Sequence, residues 1–549
     1  MLFKRFSGIT IESIFFYACL TVSVGAIIFC GSFPTLDGPS HLYNARIADY
    51  IIAGNKFIKS YYAQSTTPVP NITDHYLLTL FCSFLSFASA EKLIQLICVV
   101  GFCALFRRLV WRFNPSGIGM SIFAIPFAFS LLYYLGFYNF CLSFPLLFII
   151  ILYYHKWFSN SSTKPSAYKY IVLSLISVVL YFTNALAFLF AGLVLFMFEI
   201  QIVLPIVLRK VSLPEKNNAL KRLLLYTMVW IPGLIFFGIF THRVTMISNW
   251  SNLSVTELFN WLKEVRPLIV YTGDESVYTH WFFYAMLVGF GMAIFYRIKD
   301  KSLLKFSGFD VFLLAFIFTL ICYFVVPDGT SVGMMSVRLC IYLFVFFLLW
   351  LAMQKSNVAI TWIIAVVVMC IHFMLFFNVH LPAETGLEKE TEVVRAAGNL
   401  IEPNSVVLDI DVTGNWLYGH FGDYIAEDKP LVIIPNYEAD DCWFGTIWNN
   451  DMPQIIYNDK DSASKYCNLP GADDAKMTKE IDYIFIHGDY GAILRDAKWS
   501  GVKDGIIKKY KMLYAAADSN IHIFSLVVKS TSPLPNQLRG PNKIQGRAL

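Results

Sequence analysis

The chain has 549 residues, of which 57% are hydrophobic and only 15% are charged, and its mean hydropathy is +0.57. This composition excludes a soluble globular protein. The formal net charge of +5 comes mostly from basic loops between apolar segments, so it does not indicate a nucleic-acid partner.

Apolar segments close to the 20 or so residues that cross a hydrocarbon core recur along the first two thirds of the chain. We predict eleven spans, at about 12–32, 90–111, 118–137, 139–157, 168–184, 185–208, 221–241, 278–297, 309–326, 336–353 and 357–379. The first is long and no small-residue cleavage site follows it, so we interpret it as a retained span and not as a signal peptide. The segment 75–89 is short for a span, and we predict a re-entrant or interfacial helix there; the alternative is a twelfth span.

The orientation follows from the basic residues, which the positive-inside rule places in the cytoplasm. With the N-terminus inside, eleven spans put one set of loops on the cytoplasmic side, and these loops hold Arg107, Arg108, Arg112, Lys156, Lys164, Lys169, Arg209, Lys210, Lys216, Lys221, Arg222, Arg297, Lys299, Lys301, Lys305 and Lys355. The C-terminus is then outside. This predicts a multi-pass membrane protein with an extracytoplasmic C-terminal domain.

The composition changes at Leu381, where mixed polar and apolar sequence begins. Strand-like runs alternate with helical patterns, which predicts a small α/β domain. The strand-like runs are 405–410, 430–435, 482–487 and 520–528, and the helical patterns are 388–401 and 501–513. We therefore expect a membrane domain at 1–380, an extracytoplasmic α/β domain at 381–530 and a disordered tail at 531–549. Cys442 and Cys467 in the outer domain either form a disulfide or remain free thiols.

Polar residues avoid the centres of the predicted spans, with Glu199 as an exception. This distribution argues against a flippase or transporter of lipid-linked saccharides, which would need buried polar relays. Charged and polar residues gather at the predicted outer ends of the spans, among them Asp37, His41, Arg46, Asp49, Asp74, His75, Glu91, Lys92, Asn139, Arg266, Asp274, Asp328 and Arg338. That layout is typical of an active site at the outer membrane surface, facing the head group of a lipid-borne substrate.

Arg338 lies at the outer end of the predicted span 336–353, and the positive-inside rule makes Arg rare on that outer side of the membrane. It is either a snorkelling anchor or a clamp for phosphate, because guanidinium forms two-pronged bonds with phosphate oxygens. Lys92 is a weaker candidate for the same role, since Glu91 beside it offers a local partner.

Three short motifs in the sequence are similar to those of a known protein superfamily. They are "LDGPSHLYNARI" (36–47), "LGFYNF" (135–140) and "NYEA" (436–439). Together with the order of first span, long outer loop, re-entrant segment, many spans and outer domain, they resemble the GT-C type of membrane glycosyltransferase. This superfamily includes the protein O-mannosyltransferases and the lipid A aminoarabinose transferase. The first motif is similar to the D-x-P-x-H-L pattern of bacterial members, which implies a protein of the bacterial inner membrane with a periplasmic C-terminal domain.

The resemblance implies transfer of a sugar from a polyprenyl-phosphate donor to a hydroxyl of a lipid, glycan or protein acceptor. It makes Asp37 the general base, and His41, His75 or Arg338 the source of positive charge for the departing phosphate. Arg46, Asp74, Lys92 and Asn139 are further candidates for substrate binding. An alternative for Asp37 is a turn residue, with Ser40 capping a helix that starts at His41. A glycan polymerase or ligase is the remaining alternative function.

The sequence departs from that superfamily at Asn139, where many members carry a second acidic residue. A metal site built from two or more carboxylates is therefore not favoured, and no spacing typical of a metal site or a phosphate-binding loop occurs. The sequence indicates no definite cofactor, and a divalent metal stays open as an alternative.

The predicted topology can be tested with single cysteines and a membrane-impermeant reagent. Cysteines at Asp37, at Asp274 and within 381–549 should be labelled in intact cells or spheroplasts, whereas one at Lys301 should be protected. Protection of the C-terminal domain would contradict the eleven-span arrangement.

Overall fold

The computed structural model describes residues 10–159, 166–208, 213–243, 253–303, 305–328, 333–440, 443–449, 481–516 and 521–526. The chain forms two compact units. The first contains the residues up to Glu392 together with Asn436–Asn449, and the second contains Val393–Pro435 and the described residues after Asn449. Segment 436–449, which we had assigned to the C-terminal domain from sequence, thus belongs to the first unit. The predicted tail 531–549, Cys442 and Cys467 lie outside the described residues.

The described α-helices up to the unit boundary are α1 (Ile11–Phe29), α2 (Gly38–Ile52), α3 (Lys56–Tyr61), α4 (Thr73–Cys82), α5 (Phe87–Phe113), α6 (Ala124–Ala128), α7 (Leu131–Tyr134), α8 (Tyr138–Phe158), α9 (Ala167–Thr183), α10 (Ala185–Leu208), α11 (Leu213–Arg243), α12 (Val255–Lys263), α13 (Ser276–Lys299), α14 (Val311–Val325), α15 (Met335–Ala352), α16 (Val358–Leu375) and α17 (Leu381–Gly398). A 3-10 helix, Pro115–Phe123, precedes α6.

Ten helices in the described part of the chain are long and apolar enough to cross a membrane, and α9 is a shorter apolar helix of 17 residues. Each of the eleven predicted spans corresponds to one of them. The prediction of a multi-pass α-helical membrane protein is confirmed. Helix α15 is the most enclosed of the ten, with 89% of its apolar window buried, and it carries Arg338 at its first turn.

Three short helices, α2, α3 and α4, lie between the first two spans. Helix α4 has ten residues, about 15 Å at 1.5 Å per residue, which is half the thickness of a hydrocarbon core. It is too short to be a twelfth span. Helix α2 begins at Gly38, and its first two turns are buried.

A small sheet in the first unit joins β1 (Tyr62–Gln64) to β4 (Thr446–Trp448) in antiparallel pairing. Next to β4 in the chain is the short helix α18 (Tyr437–Asp440). Both β4 and α18 come from segment 436–449, so this segment adds a strand and a helical turn to the first unit.

The second unit is a small α/β unit, as predicted. Its strands are β2 (Ser405–Val412), β3 (Leu431–Ile434), β5 (Tyr483–Gly488), β6 (Tyr510–Ala515) and β7 (Ile521–Leu526), in the sheet order β3-β2-β5-β7-β6. Strand β2 pairs in parallel with β3 and β5, whereas β7 is antiparallel to β5 and β6. The helices α19 (Tyr490–Arg495) and α20 (Ser500–Lys509) follow β5. The predicted helix 501–513 was wrong at its end, because Tyr510 begins β6.

Two glycines, Gly38 and Gly136, allow the motif at 36–47 to pack closely against the motif at 135–140. Gly136 has φ +76°, and a Cβ there would lie 2.7 Å from the backbone N of Gly38 and 2.9 Å from that of Asp37. The backbone N–H groups of Leu36 and Asp37 donate to the carbonyls of Tyr134 and Leu135, each at 3.1 Å. Asp37 is thus held by direct backbone contact.

We expect Gly136→Ala to destabilise the protein more than Gly54→Ala, which serves as a matched control. Gly54 also has positive φ (+78°), but a Cβ there meets nothing within 4 Å. Both variants carry the cost of a left-handed backbone, about 1–2 kcal/mol, and Gly136→Ala adds roughly 1–3 kcal/mol of overpacking. Thermal denaturation of the purified variants in detergent measures the difference, and equal melting temperatures would contradict this account.

Candidate active site

A cavity of about 190 Å³ lies in the first unit, where the start of α2, the motif at 135–140, the start of α15 and segment 436–449 meet. It is lined by Asp37, His41, Asn71, Phe137, Tyr138, Asn139, Phe140, Arg338, Tyr437, Trp443 and Phe444. Ligand clefts usually measure about 300–1,000 Å³, so this cavity suits the reacting part of a larger substrate.

Asp37 stands directly before α2 but does not cap it. The helix starts at Gly38 with Pro39 in its first turn, and the Asp37 side chain makes no capping hydrogen bond. The alternative in which Ser40 caps a helix starting at His41 was therefore wrong. The Asp37 carboxylate instead lines the cavity.

The surroundings of Asp37 raise its carboxyl pKa to about 7. Burial is the main cause, and the negative charge of Glu438 adds to it. His41 and Arg338, as nearby positive charges, and a hydrogen bond with Tyr437 act in the opposite direction. A carboxyl group with this pKa can both accept and release a proton near neutral pH.

Beside Asp37, two imidazoles and two carboxylates form a buried cluster of His41, Asp74, His75 and Glu438. Nδ1 of His41 lies 2.9 Å from Oε1 of Glu438, and Nδ1 of His75 lies 2.8 Å from Oδ1 of Asp74. Nε2 of His75 hydrogen-bonds with Oε2 of Glu438 at 2.7 Å. The side chains of Asp74 and Glu438 are completely buried.

The four groups hold one another in the charged state. Burial alone would lower the pKa of His41 and His75, but Asp74 and Glu438 outweigh it and raise the pKa of both imidazoles. Burial would likewise raise the pKa of Glu438, yet His75 and His41 lower it to about 2. The pKa of Asp74 is lowered in the same way. The carboxylates thus favour the charged form of the imidazoles, and the imidazoles favour the charged form of the carboxylates.

The same cluster is the candidate for a cation among the described residues. Ligand atoms of His41, His75 and Glu438 lie within 4.8 Å of one another, and this donor set suits a divalent transition metal. A tetrahedral ion 2.0–2.2 Å from each ligand would hold those atoms about 3.4 Å apart. The contacts of 2.7 and 2.9 Å made by Glu438 are shorter, so their spacing is that of ion pairs.

Arg338 lies in the cavity wall with only 8% of its surface exposed. Its guanidinium is stacked 4.5 Å from the ring centre of Phe137, and its Nε donates to the carbonyl of Gly333 at 3.2 Å. A snorkelling anchor would instead hold its charge at the surface. Arg338 is close enough to Asp37 for the two charges to interact.

The other predicted site residues divide into two groups. Asn139 lines the cavity, and its Oδ1 accepts a 2.9 Å hydrogen bond from the backbone N–H of Asp74, so it supports α4. Arg46 instead pairs with Asp49 at 2.7 Å, and Nζ of Lys92 donates to the carbonyl of Cys30 at 2.8 Å. Neither Arg46 nor Lys92 lines the cavity.

Sequence reasoning missed the site residues of segment 436–449, namely Tyr437, Trp443 and Phe444, which line the cavity, and Glu438 in the cluster beside it. The signal was present, because "NYEA" was one of the three motifs. We had placed the motif in the α/β domain, which separated Glu438 from the two histidines that it contacts.

No protein-family model and no curated protein sequence matches this chain. Among solved structures, the chain is similar to ArnT from Cupriavidus metallidurans in the apo state, with a TM-score of 0.53, 10% identity, and 95% of this chain and 98% of that chain covered. ArnT bound to undecaprenyl phosphate gives a TM-score of 0.49 at 9% identity, covering 95% and 99% of the two chains. The oligosaccharyltransferase AglB from Archaeoglobus fulgidus, in complex with an inhibitory peptide and a dolichol-phosphate, gives 0.43 at 12% identity, covering 95% and 75%.

Proposed function

We infer that the chain is built on the GT-C architecture predicted from sequence, since it shares the fold of ArnT over nearly its whole length. We propose that the protein is a membrane glycosyltransferase that moves a sugar from a polyprenyl-phosphate donor to an acceptor hydroxyl. The observation that carries this proposal is the presence of Asp37 and Arg338 in one cavity. The shared fold agrees with the reaction class, although a fold alone does not establish a chemistry.

In the proposed reaction, the acceptor oxygen attacks the anomeric carbon of the donor sugar. Asp37 takes the proton of the attacking hydroxyl, which is general base catalysis. The bond between the anomeric carbon and the phosphate oxygen breaks, and the electron pair leaves with the polyprenyl phosphate. The leaving group gains negative charge, which Arg338 and His41 at the cavity wall stabilise.

The charges in the cavity suit such a transfer. Arg338 is buried against aromatic rings, where a fixed positive charge interacts more strongly with phosphate than it would in water. A pKa of about 7 leaves a substantial fraction of Asp37 ionised at neutral pH. The aromatic residues Phe137, Trp443 and Phe444 form an apolar part of the same cavity wall.

Identifying the donor is the first experiment. The purified protein should carry lipid-linked sugars that mass spectrometry can identify, and their masses should correspond to a polyprenyl phosphate bearing one sugar unit. Release of polyprenyl phosphate from the identified donor then serves as the assay below.

We predict that Asp37→Asn lowers turnover by roughly 10²–10⁴-fold, the usual contribution of a general base. The change is nearly isosteric, so folding should be unaffected. Because only the ionised carboxylate accepts a proton, wild-type turnover should rise with pH through about 7, the pKa of Asp37. Asp49→Asn is the control, since Asp49 pairs with Arg46 outside the cavity. A well-folded Asp37→Asn variant with near-wild-type turnover would remove Asp37 from the mechanism.

We predict that Arg338→Ala weakens binding of the polyprenyl-phosphate donor by about one to two orders of magnitude, because charged hydrogen bonds contribute roughly 1.5–3 kcal/mol. Arg338→Lys should restore only part of the affinity, since an ammonium cannot form the two-pronged contact. Binding of a phosphate-free analogue should not change. Lys56→Ala, which removes an exposed charge from α3, is the control. If Arg338→Ala reduces membrane insertion but not donor affinity, Arg338 is an anchor.

A further inference from the structure

Segment 436–449 belongs to the first unit, although the described residues directly before it in the chain, Val393–Pro435, and those after Asn449 belong to the second unit. Within the first unit the segment is held at both ends. The side-chain amides of Asn44 and Asn436 bond to each other twice, at 3.1 and 3.0 Å. At the other end, Trp448 stacks on Tyr62 at 4.4 Å, and Asn449 donates to the carbonyl of Lys59 at 2.7 Å.

Between these two attachments the segment places one carboxylate between two helices. Oε1 of Glu438 contacts His41 of α2, and Oε2 contacts His75 of α4. Both oxygens are therefore used, and the side chain is completely buried. Asp74 also pairs with His75, but its contact with His41 is longer, at 3.6 Å. The shortest link between the two imidazoles thus passes through Glu438.

We propose that Glu438 is a positioning residue, which fixes the His41 and His75 rings and thereby the relative placement of α2 and α4 at the active site. It acts through the imidazoles and does not itself line the cavity, whereas His41 does. The inference builds on the proposed function, because it assigns His41 to the reacting centre. Its geometric part, the bridge between two rings, can be tested without any substrate.

His75 gives a direct readout of this bridge. Beside its contact with Glu438, His75 lines a second cavity, of about 450 Å³, on the side of Thr73, Tyr76 and Thr79. Diethylpyrocarbonate can reach the ring from this cavity, but it reacts with imidazole nitrogens only when they are not engaged. In the wild-type protein the Nε2 of His75 is engaged by Glu438.

The experiment compares carbethoxylation of His75 and His41 in the full-length protein by mass spectrometry. Glu438→Gln removes the charge while keeping the shape, and we expect the His75 rate to rise by about one to two orders of magnitude, the usual worth of a charged hydrogen bond. Glu384→Gln is the matched control: Glu384 is buried in the same unit but bonds to Tyr271, and its replacement should leave the His75 rate unchanged. Glu438→Asp, which is one methylene shorter, should give an intermediate rate and serves if Glu438→Gln does not fold.

Turnover of the identified donor is the second readout. A positioning role predicts that Glu438→Gln lowers kcat while the donor KM stays within about threefold, because Arg338 still binds the phosphate. Wild-type rates of modification at both histidines in Glu438→Gln would overturn the proposal, as would a stoichiometric divalent cation that is lost with Glu438. If the wild-type protein releases no polyprenyl phosphate from any lipid-linked sugar while Glu438→Gln exposes His75 to the reagent, the bridge stands and the proposed transferase function fails.

Discussion

The candidate site depends on one close approach between two backbones. The chain at Asp37 and Gly38 lies against the chain at Leu135 and Gly136 with no room for side chains between them. A Cβ on Gly38 would itself lie 2.3 Å from Oε1 of Glu91 and 2.7 Å from the hydroxyl of Tyr138. Because the two segments meet this closely, an acidic residue from the first loop and the aromatic wall from 137–140 form one cavity.

Charge balance is the second constraint, and it determines which groups can be buried beside that cavity. An isolated buried charge is costly, and burial is tolerated when partners are close. His41, Asp74, His75 and Glu438 satisfy this condition as a neutral set, and deeper in the helices Glu199 does so through Arg222 at 2.8 Å. Asp37 has a weaker set of partners, and its carboxyl pKa is raised accordingly. Among Asp37, Asp74 and Glu438, only Asp37 has a raised carboxyl pKa, near neutral pH, and it is therefore the one best suited to exchange a proton.

Local sequence patterns predicted the helices and most of the strands. They did not predict that segment 436–449 packs in the first unit, far from its neighbours in the chain. Hydropathy placed all eleven apolar helices, because span length is a local property. The runs at 405–410 and 482–487 became the parallel pair β2 and β5. Strand β6 was not predicted, because "YKML" continues a helical pattern. Strand β4 was not predicted either, because it has only three residues. Glu438 could not be assigned to the site because its partners are more than 360 positions away.

Because His75 and Glu438 are so far apart in the chain, the parts of the site are synthesised at different times. Glu438 follows His75 by 363 residues, which at roughly 5–20 residues per second corresponds to about 20–70 s of synthesis. During this interval α2 and α4 are already made, but the acid that joins their imidazoles does not exist. The helical unit is therefore inserted with His41 and His75 lacking their shared partner, and the centre is completed only as the C-terminal part of the chain emerges. A nascent or prematurely terminated chain would have the spans, the loop and Asp37, yet its two imidazoles would not be bridged.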